Sequence, residues 1–190
     1  MGIGGNVNIA QQCPGERVLE QHGSGTLRLV DVTLRDGSLT GTSGQDALQG
    51  GGLRANGDVD LERVTLSANV VRAGSTSAKA PAGDAIGGGV TAGGSATARD
   101  VTALENAATA AGSNTLLDTG GAARPGAARG GAIAATTVTL TNGAFTSNSV
   151  ESGSGLFTCA TRTLLGWVGC AGAAPGAATG SGVHHARRAQ

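Results

Sequence analysis

Tyrosine does not occur in this chain of 190 residues, which holds one tryptophan and two phenylalanines. A compact domain of this length ordinarily closes its core with aromatic rings and leucine, because large side chains supply most of the buried area. Their scarcity excludes a core of that kind. Two classes remain: a disordered glycine-rich chain, or a long thin core filled by rows of small aliphatics. Lysine is almost missing as well. Lys79 stands beside twelve arginines, the formal net charge is zero, and no basic run occurs before the last residues. Nothing in that balance predicts attraction to nucleic acid or to an anionic membrane surface. No stretch approaches the length of a membrane span, and "MGIGGNVNIA" lacks the basic start and apolar run of a signal peptide. The three cysteines, Cys13, Cys159 and Cys170, fit neither a zinc spacing nor a CxxC motif. Cys159 and Cys170 are spaced to close a small loop in an oxidising compartment, leaving Cys13 unpaired. Three free thiols are the equal alternative.

What the chain has in quantity is glycine, 35 residues of it, and a repeat. "LRLVDVTLRDGSL" at 27–39 is followed by "LERVTLSANVV" at 61–71, "ATARDVTALENAA" at 96–108 and "VTLTNGAFTSNSV" at 138–150. Aligned on Leu34, Leu66, Ala103 and Phe145, the copies are 32, 37 and 42 residues apart, a range that signals stacked repeats. Five residues before the anchor stand Leu29, Leu61, Ala98 and Leu140; seven before, Leu27, Val59, Ala96 and Val138; five after, Leu39, Val71, Ala108 and Val150. Every column is aliphatic or alanine, and the residues between are polar, such as Arg28, Asp60, Thr97 and Thr139. Alternation of period two predicts strands with one buried face, and β-branched residues at fixed spacing argue against disorder. Gly37, Asn69, Asn106 and Asn148, three after the anchor, predict a bend in left-handed backbone and an amide ladder from copy to copy. The clusters "GGGL", "GGGV" and "GGAI" introduce the later copies at 50–53, 87–90 and 130–133, and predict tight corners. The spacers 72–84 and 111–129 carry two of the four prolines and read as loops. A single copy buries too little to offset the entropy of ordering it, so stability has to come from stacking copy on copy.

The runs "RVLEQHGSGTLRLVDVTLRDG", "GGGLRANGDVDLERVTLSAN" and "GGAIAATTVTLTNGAFTSN" resemble bacterial right-handed parallel β-helix repeat proteins of the pectin-lyase-like fold. Within that group they are similar to the polymorphic-outer-membrane-protein type, whose repeats pair a "GGAI"-like start with an "F-x-x-N"-like end. Gly130 to Ile133 and Phe145 to Asn148 match the pattern, whereas the earlier copies replace Phe by Leu or Ala. The resemblance covers about residues 15–151. It implies an all-β, right-handed parallel β-helix with long inserted loops over residues 1–155, followed at 156–190 by a cap or a poorly ordered Ala/Gly-rich tail. It also implies secretion or a place on the cell surface, a structural or adhesin-like role, and a glycan or cell-surface protein as partner.

Enzymes of the same fold act on acidic polysaccharides, and one column supplies a candidate for that alternative. Asp31, Arg63, Asp100 and Asn142 all stand three residues before the anchor. A lyase reading makes Asp31 and Asp100 calcium ligands and Arg63 the base. The competing reading is an exposed ladder of alternating charge that fixes register, and an arginine between the acids opposes cation binding. Asp58 and Asp60 in "ANGDVDL" resemble one turn of a calcium-binding nonapeptide repeat, but that site needs ligands from consecutive turns. Outside that alternative the sequence calls for no cofactor or metal. His22, His184 and His185 have no acidic or cysteine partner at useful spacing, and the last two sit in "GVHHARRAQ", expected to be a solvated end. No nucleophile elbow, phosphate-binding loop or dinucleotide fingerprint occurs.

Overall fold

The computed structural model describes residues 6–41, 47–74, 82–112 and 125–153, and the backbone of six short strands between 157 and 185. Every element is a strand; no helix occurs among the described residues. Five parallel sheets contain most of them. Sheet I holds Leu19–Gln21, Leu53–Ala55, Val90–Ala92, Ile133–Ala135 and Val183–His185, and sheet II holds Leu27–Val30, Val59–Glu62, Ser95–Arg99 and Thr137–Thr141. Sheet III holds Val7–Ala10, Val32–Arg35, Thr65–Ser67, Thr102–Leu104 and Ala144–Thr146. Sheet IV takes Ser38–Thr40, Val70–Arg72, Ala107–Thr109 and Ser149–Glu151, and sheet V takes Leu48–Gln49, Ala85–Ile86, Ala128–Arg129 and Ala178–Thr179. The chain visits the sheets in the order I, II, III, IV, V, then begins again.

The register of these pairs is the one the aliphatic columns require. Leu34 pairs with Leu66, Leu66 with Ala103, and Ala103 with Phe145. Leu29, Leu61, Ala98 and Leu140 form one continuous row, as do Leu39, Val71, Ala108 and Val150. A shift of one residue would carry each row to the solvent face, so the buried rows hold the register. Leu34, Leu53, Leu61, Leu66, Val90 and Ile133 are fully buried in a cluster joining sheets I, II and III, and Val71, Ala85, Ala108 and Ala128 form a second between IV and V. Leu140, the last member of its row, is 42% exposed where Leu61 in the same row is buried completely. The difference is the presence of a stacked neighbour on each side, which is why repeats of this kind are stable only in arrays.

The corners divide into fixed and variable ones. Sheets III and IV are always joined by two residues: 36–37, 68–69, 105–106 and 147–148. The first of each pair, Asp36, Ala68, Glu105 and Ser147, has φ between 52° and 64°. The left-handed backbone therefore falls one residue earlier than the asparagine column suggested. The asparagines instead form the expected ladder, since a side chain just past the bend is aimed along the stack. Asn69 Nδ2 donates to Asn106 Oδ1 and Asn106 Nδ2 to Asn148 Oδ1, each at 2.9 Å. Sheets V and I are joined by the glycine clusters, whose first members Gly50, Gly87 and Gly130 have φ of 64°, 63° and 58°.

Between sheets IV and V the chain lengths differ: residues 41–47, 73–84, 110–127 and 152–177, or 7, 12, 18 and 26 residues in order. All the large insertions therefore leave at one corner. The repeat pattern, which the sequence reading ended at Val150, resumes beyond the longest of them. Ala178–Thr179 pairs with Ala128–Arg129 in sheet V, and Val183–His185 with Ile133–Ala135 in sheet I. The backbone of His184 and His185 thus belongs to a strand. Elsewhere in the tail the backbone of four short strands between 157 and 172 is described, and the other residues, Leu164 and Leu165 among them, lie outside the described residues.

Candidate functional site

The charged residues singled out from sequence lie on the outer face of sheet II and at the bend between sheets II and III. That bend places Asp31, Arg63, Asp100 and Asn142 in left-handed backbone, with φ of 51° to 54°. Aspartate and asparagine tolerate this conformation because their short polar chains bond locally; arginine has no such compensation. Arg63 is held by its partners instead. Its Nε and a terminal nitrogen donate to the two oxygens of Asp31 at 2.7 and 2.9 Å, a bidentate pair across two repeats, and its other terminal nitrogen donates to Glu62.

The pair belongs to a longer chain of charges. Arg28 donates to Glu62 at 2.6 Å and lies 3.5 Å from Asp60. Asp60 in turn accepts from Arg99 at 3.1 and 3.2 Å. Asp31, Arg63, Glu62, Arg28, Asp60 and Arg99 alternate in sign and cross three repeats. Arg63 stands between Asp31 and Asp100 in the column, but its guanidinium bonds Asp31 and Glu62, and among the described residues Asp100 makes no ion pair. Sequence reasoning treated the column of Asp31, Arg63 and Asp100 alone and passed over the adjoining one, Val30, Glu62, Arg99 and Thr141, which supplies Glu62 and Arg99.

Asp58 is engaged differently. Its Oδ1 accepts the backbone N–H of Ser95 at 2.7 Å, tying one repeat to the next at the entry to sheet II. Asp58 and Asp60, with Ser95, Thr97 and Arg99, border a shallow open cleft on this face. The two carboxylates spend their acceptor capacity on an amide and on arginines, and among the described residues no three acidic, histidine or cysteine side chains cluster as a metal would require. Arg99 pairs with Asp60, so a cation brought to that carboxylate would meet the guanidinium. His22, 81% exposed, has Glu20 at 4.0 Å as its acidic neighbour. Glu20 itself pairs with Arg17 and, across the repeat, with Arg54 at 3.0 Å.

Hydrogen bonding from Arg63 holds the Asp31 carboxyl below its ordinary value of 3.8, and bonds from Arg28 and then Arg63 hold Glu62 below 4.5. Arg63 is shifted upward by the same bonds, first from Asp31 and then from Glu62. Carboxylates depressed in the folded state contribute stability above their unfolded range, and that contribution is lost as pH falls through the lowered values. The side chains are half exposed, 48% for Arg63 and 39% for Asp31, so the effect is small and screened by salt. Arg63→Gln is expected to lower the urea midpoint slightly at neutral pH in low salt and to converge on the parent chain as pH falls through the lowered carboxylate values. A difference that persists unchanged in acid would mean that the pair does not act through these carboxylates.

Among the described residues this face offers a chain of paired charges, with Asp100 outside it, and no cluster of three acidic, histidine or cysteine side chains. No known protein family, curated protein or solved structure matches the chain.

Proposed function

We propose that the chain is a right-handed parallel β-helix with a non-catalytic role on the outside of a bacterial cell, structural or adhesive, and that it contacts a glycan or a cell-surface protein through its inserted loops. The observation that carries the reading is the distribution of length. Four corners of the repeat are kept short, while the corner between sheets IV and V grows from 7 to 26 residues. A stacked scaffold that projects all its variable segments from one edge is built as recognition surfaces are, with rigid strands holding loops that vary freely. The loops expected at 72–86 and 107–129 narrow to the insertions 73–84 and 110–127, because Arg72, Ala85–Ile86, Ala107–Thr109 and Ala128–Arg129 lie in strands, and these insertions are the proposed contact segments. Placement outside the cell rests on the "GGAI" and "F-x-x-N" resemblance at Gly130 to Ile133 and Phe145 to Asn148. The absence of a free acid–base pair on the charged face of sheet II favours binding over catalysis.

The test uses the full chain against immobilised glycans and intact epithelial cells, beside a variant in which residues 110–127 are replaced by the sequence of the shortest insertion, 41–47. The variant is expected to keep its strand content and to lose at least about tenfold in affinity. Undiminished binding would remove the loops from the reading. Cleavage of polygalacturonate in the presence of calcium, abolished by Asp100→Ala, would replace it with the enzyme alternative.

A further inference from the structure

We propose that Cys159 and Cys170 form an intramolecular disulfide, a covalent modification site within the longest insertion. Among the described strands the antiparallel pairs are those of residues 157–172. Phe157–Cys159 pairs with Cys170–Gly172, and Arg162–Thr163 with Gly166–Trp167. In all five paired positions the two residue numbers sum to 329, from Phe157 and Gly172 to Thr163 and Gly166. Both described pairs therefore share one register, and it sets Cys159 directly opposite Cys170.

Directly opposed residues in an antiparallel pair hold their Cα atoms about 4.5–5.5 Å apart. That interval lies inside the roughly 4.4–6.8 Å over which a disulfide spans two backbones without displacing them. A register shifted by one residue would turn the two side chains to opposite faces of the pair. The hairpin also has reason to be tied: its strands form two-stranded sheets with no third partner among the described residues, and an isolated hairpin is marginal in water. A bond between Cys159 and Cys170 restricts the open chain and so favours the paired one. Cys13 is exposed and precedes the first strand of sheet I, whereas the hairpin follows the last described strand of sheet IV. Chain order thus sets Cys13 apart from both.

The reaction is thiol–disulfide exchange with a small-molecule disulfide such as oxidised glutathione. One cysteine thiolate attacks a sulfur of the reagent, forming a mixed disulfide and releasing one small thiolate. The second cysteine thiolate then attacks the protein sulfur of that mixed disulfide and releases the other. The protein gives up two protons and two electrons, and the reagent becomes two thiols.

The full chain, purified reduced, is equilibrated in glutathione redox buffer, denatured, and alkylated with N-ethylmaleimide for intact-mass and peptide analysis. One adduct, on Cys13, is the expected result, with none on a Cys13→Ser chain and three on the parent chain after reduction. Three adducts without reduction, a bridge involving Cys13, or glutathione retained on both Cys159 and Cys170 would overturn the proposal. Two cysteines close in sequence can also pair by chance in an unstructured loop. A double variant, Cys170→Ser with Ala171→Cys, separates the cases by moving one thiol a single position out of register. Its effective concentration against glutathione is expected to fall at least about tenfold; an equal value would show that the hairpin register plays no part.

Discussion

Asn106→Ala is expected to destabilise the chain by about 3 kcal/mol, while the same change at Asn148 removes roughly 1 kcal/mol. Asn106 is completely buried and makes four hydrogen bonds in the middle of the ladder. Its Oδ1 accepts from the backbone N–H and the Nδ2 of Asn69, at 3.2 and 2.9 Å. Its Nδ2 donates to the carbonyl of Leu66 at 3.0 Å and to Asn148 Oδ1 at 2.9 Å. Alanine removes all four and leaves the buried backbone N–H of Asn69 without its acceptor, so the loss includes the desolvation of a partner left behind. Asn148 ends the described ladder and is only partly buried, so solvent can replace what its truncation removes. Equilibrium urea unfolding followed by far-ultraviolet circular dichroism measures both. Equal losses at the two positions would mean that the ladder contributes through local bend geometry and not through bonds between repeats.

The asparagine ladder was legible before any coordinates, and so was the register of sheets II and IV and of sheet III from Val32 onward, but not the pairing of Val7–Ala10. The reason is physical: Leu34, Leu61 and Val71 each head or join a row in which one slip exposes every member, and that penalty is written as a spacing. Three other features were less legible. The left-handed residues Asp36, Ala68, Glu105 and Ser147 share no side-chain chemistry, and Ala68 carries no signal for that backbone at all. The strands that continue sheets V and I, Ala178–Thr179 and Val183–His185, are joined within "ATGSGV" at 178–183, the same form as "LQGGGL" at 48–53 and "AIGGGV" at 85–90. The signal was present, but a 26-residue insertion separates it from the repeat it completes. The charge chain through Glu62 and Arg99 was missed because arginine reaches diagonally as well as vertically, and a single column does not show that. The ligand is the least legible feature. Contact through inserted loops leaves no periodic trace, since nothing in the scaffold constrains what those loops contain.

Gly88→Ala is expected to destabilise the chain by about 3 kcal/mol or more. Glycine is not needed at this position for its φ. It is needed because three backbones converge there. A Cβ on Gly88 would lie 2.3 Å from the carbonyl oxygen of Gly131 in the next repeat, and 2.5 and 2.6 Å from the backbone oxygen and nitrogen of Ala107. None of those atoms belongs to a side chain that can rotate away, so strand backbone has to shift. The shift cannot stay local, because Gly88 donates to Gly130 at 3.1 Å on one side and accepts from Gly52 at 3.2 Å on the other. Gly51 stands in the same column, where its Cβ would meet the Gly88 oxygen at 2.5 Å, so the close approach recurs down the stack. Gly23→Ala is the matched control. Its Cβ would have Gln21 Nε2 as nearest neighbour at 3.7 Å, and the change is expected to fall within about 0.5 kcal/mol of the parent chain. If Gly88→Ala folds with the stability of Gly23→Ala, the glycine clusters serve only to turn the chain, and the close stacking of the corner between sheets V and I contributes nothing to holding the repeats together.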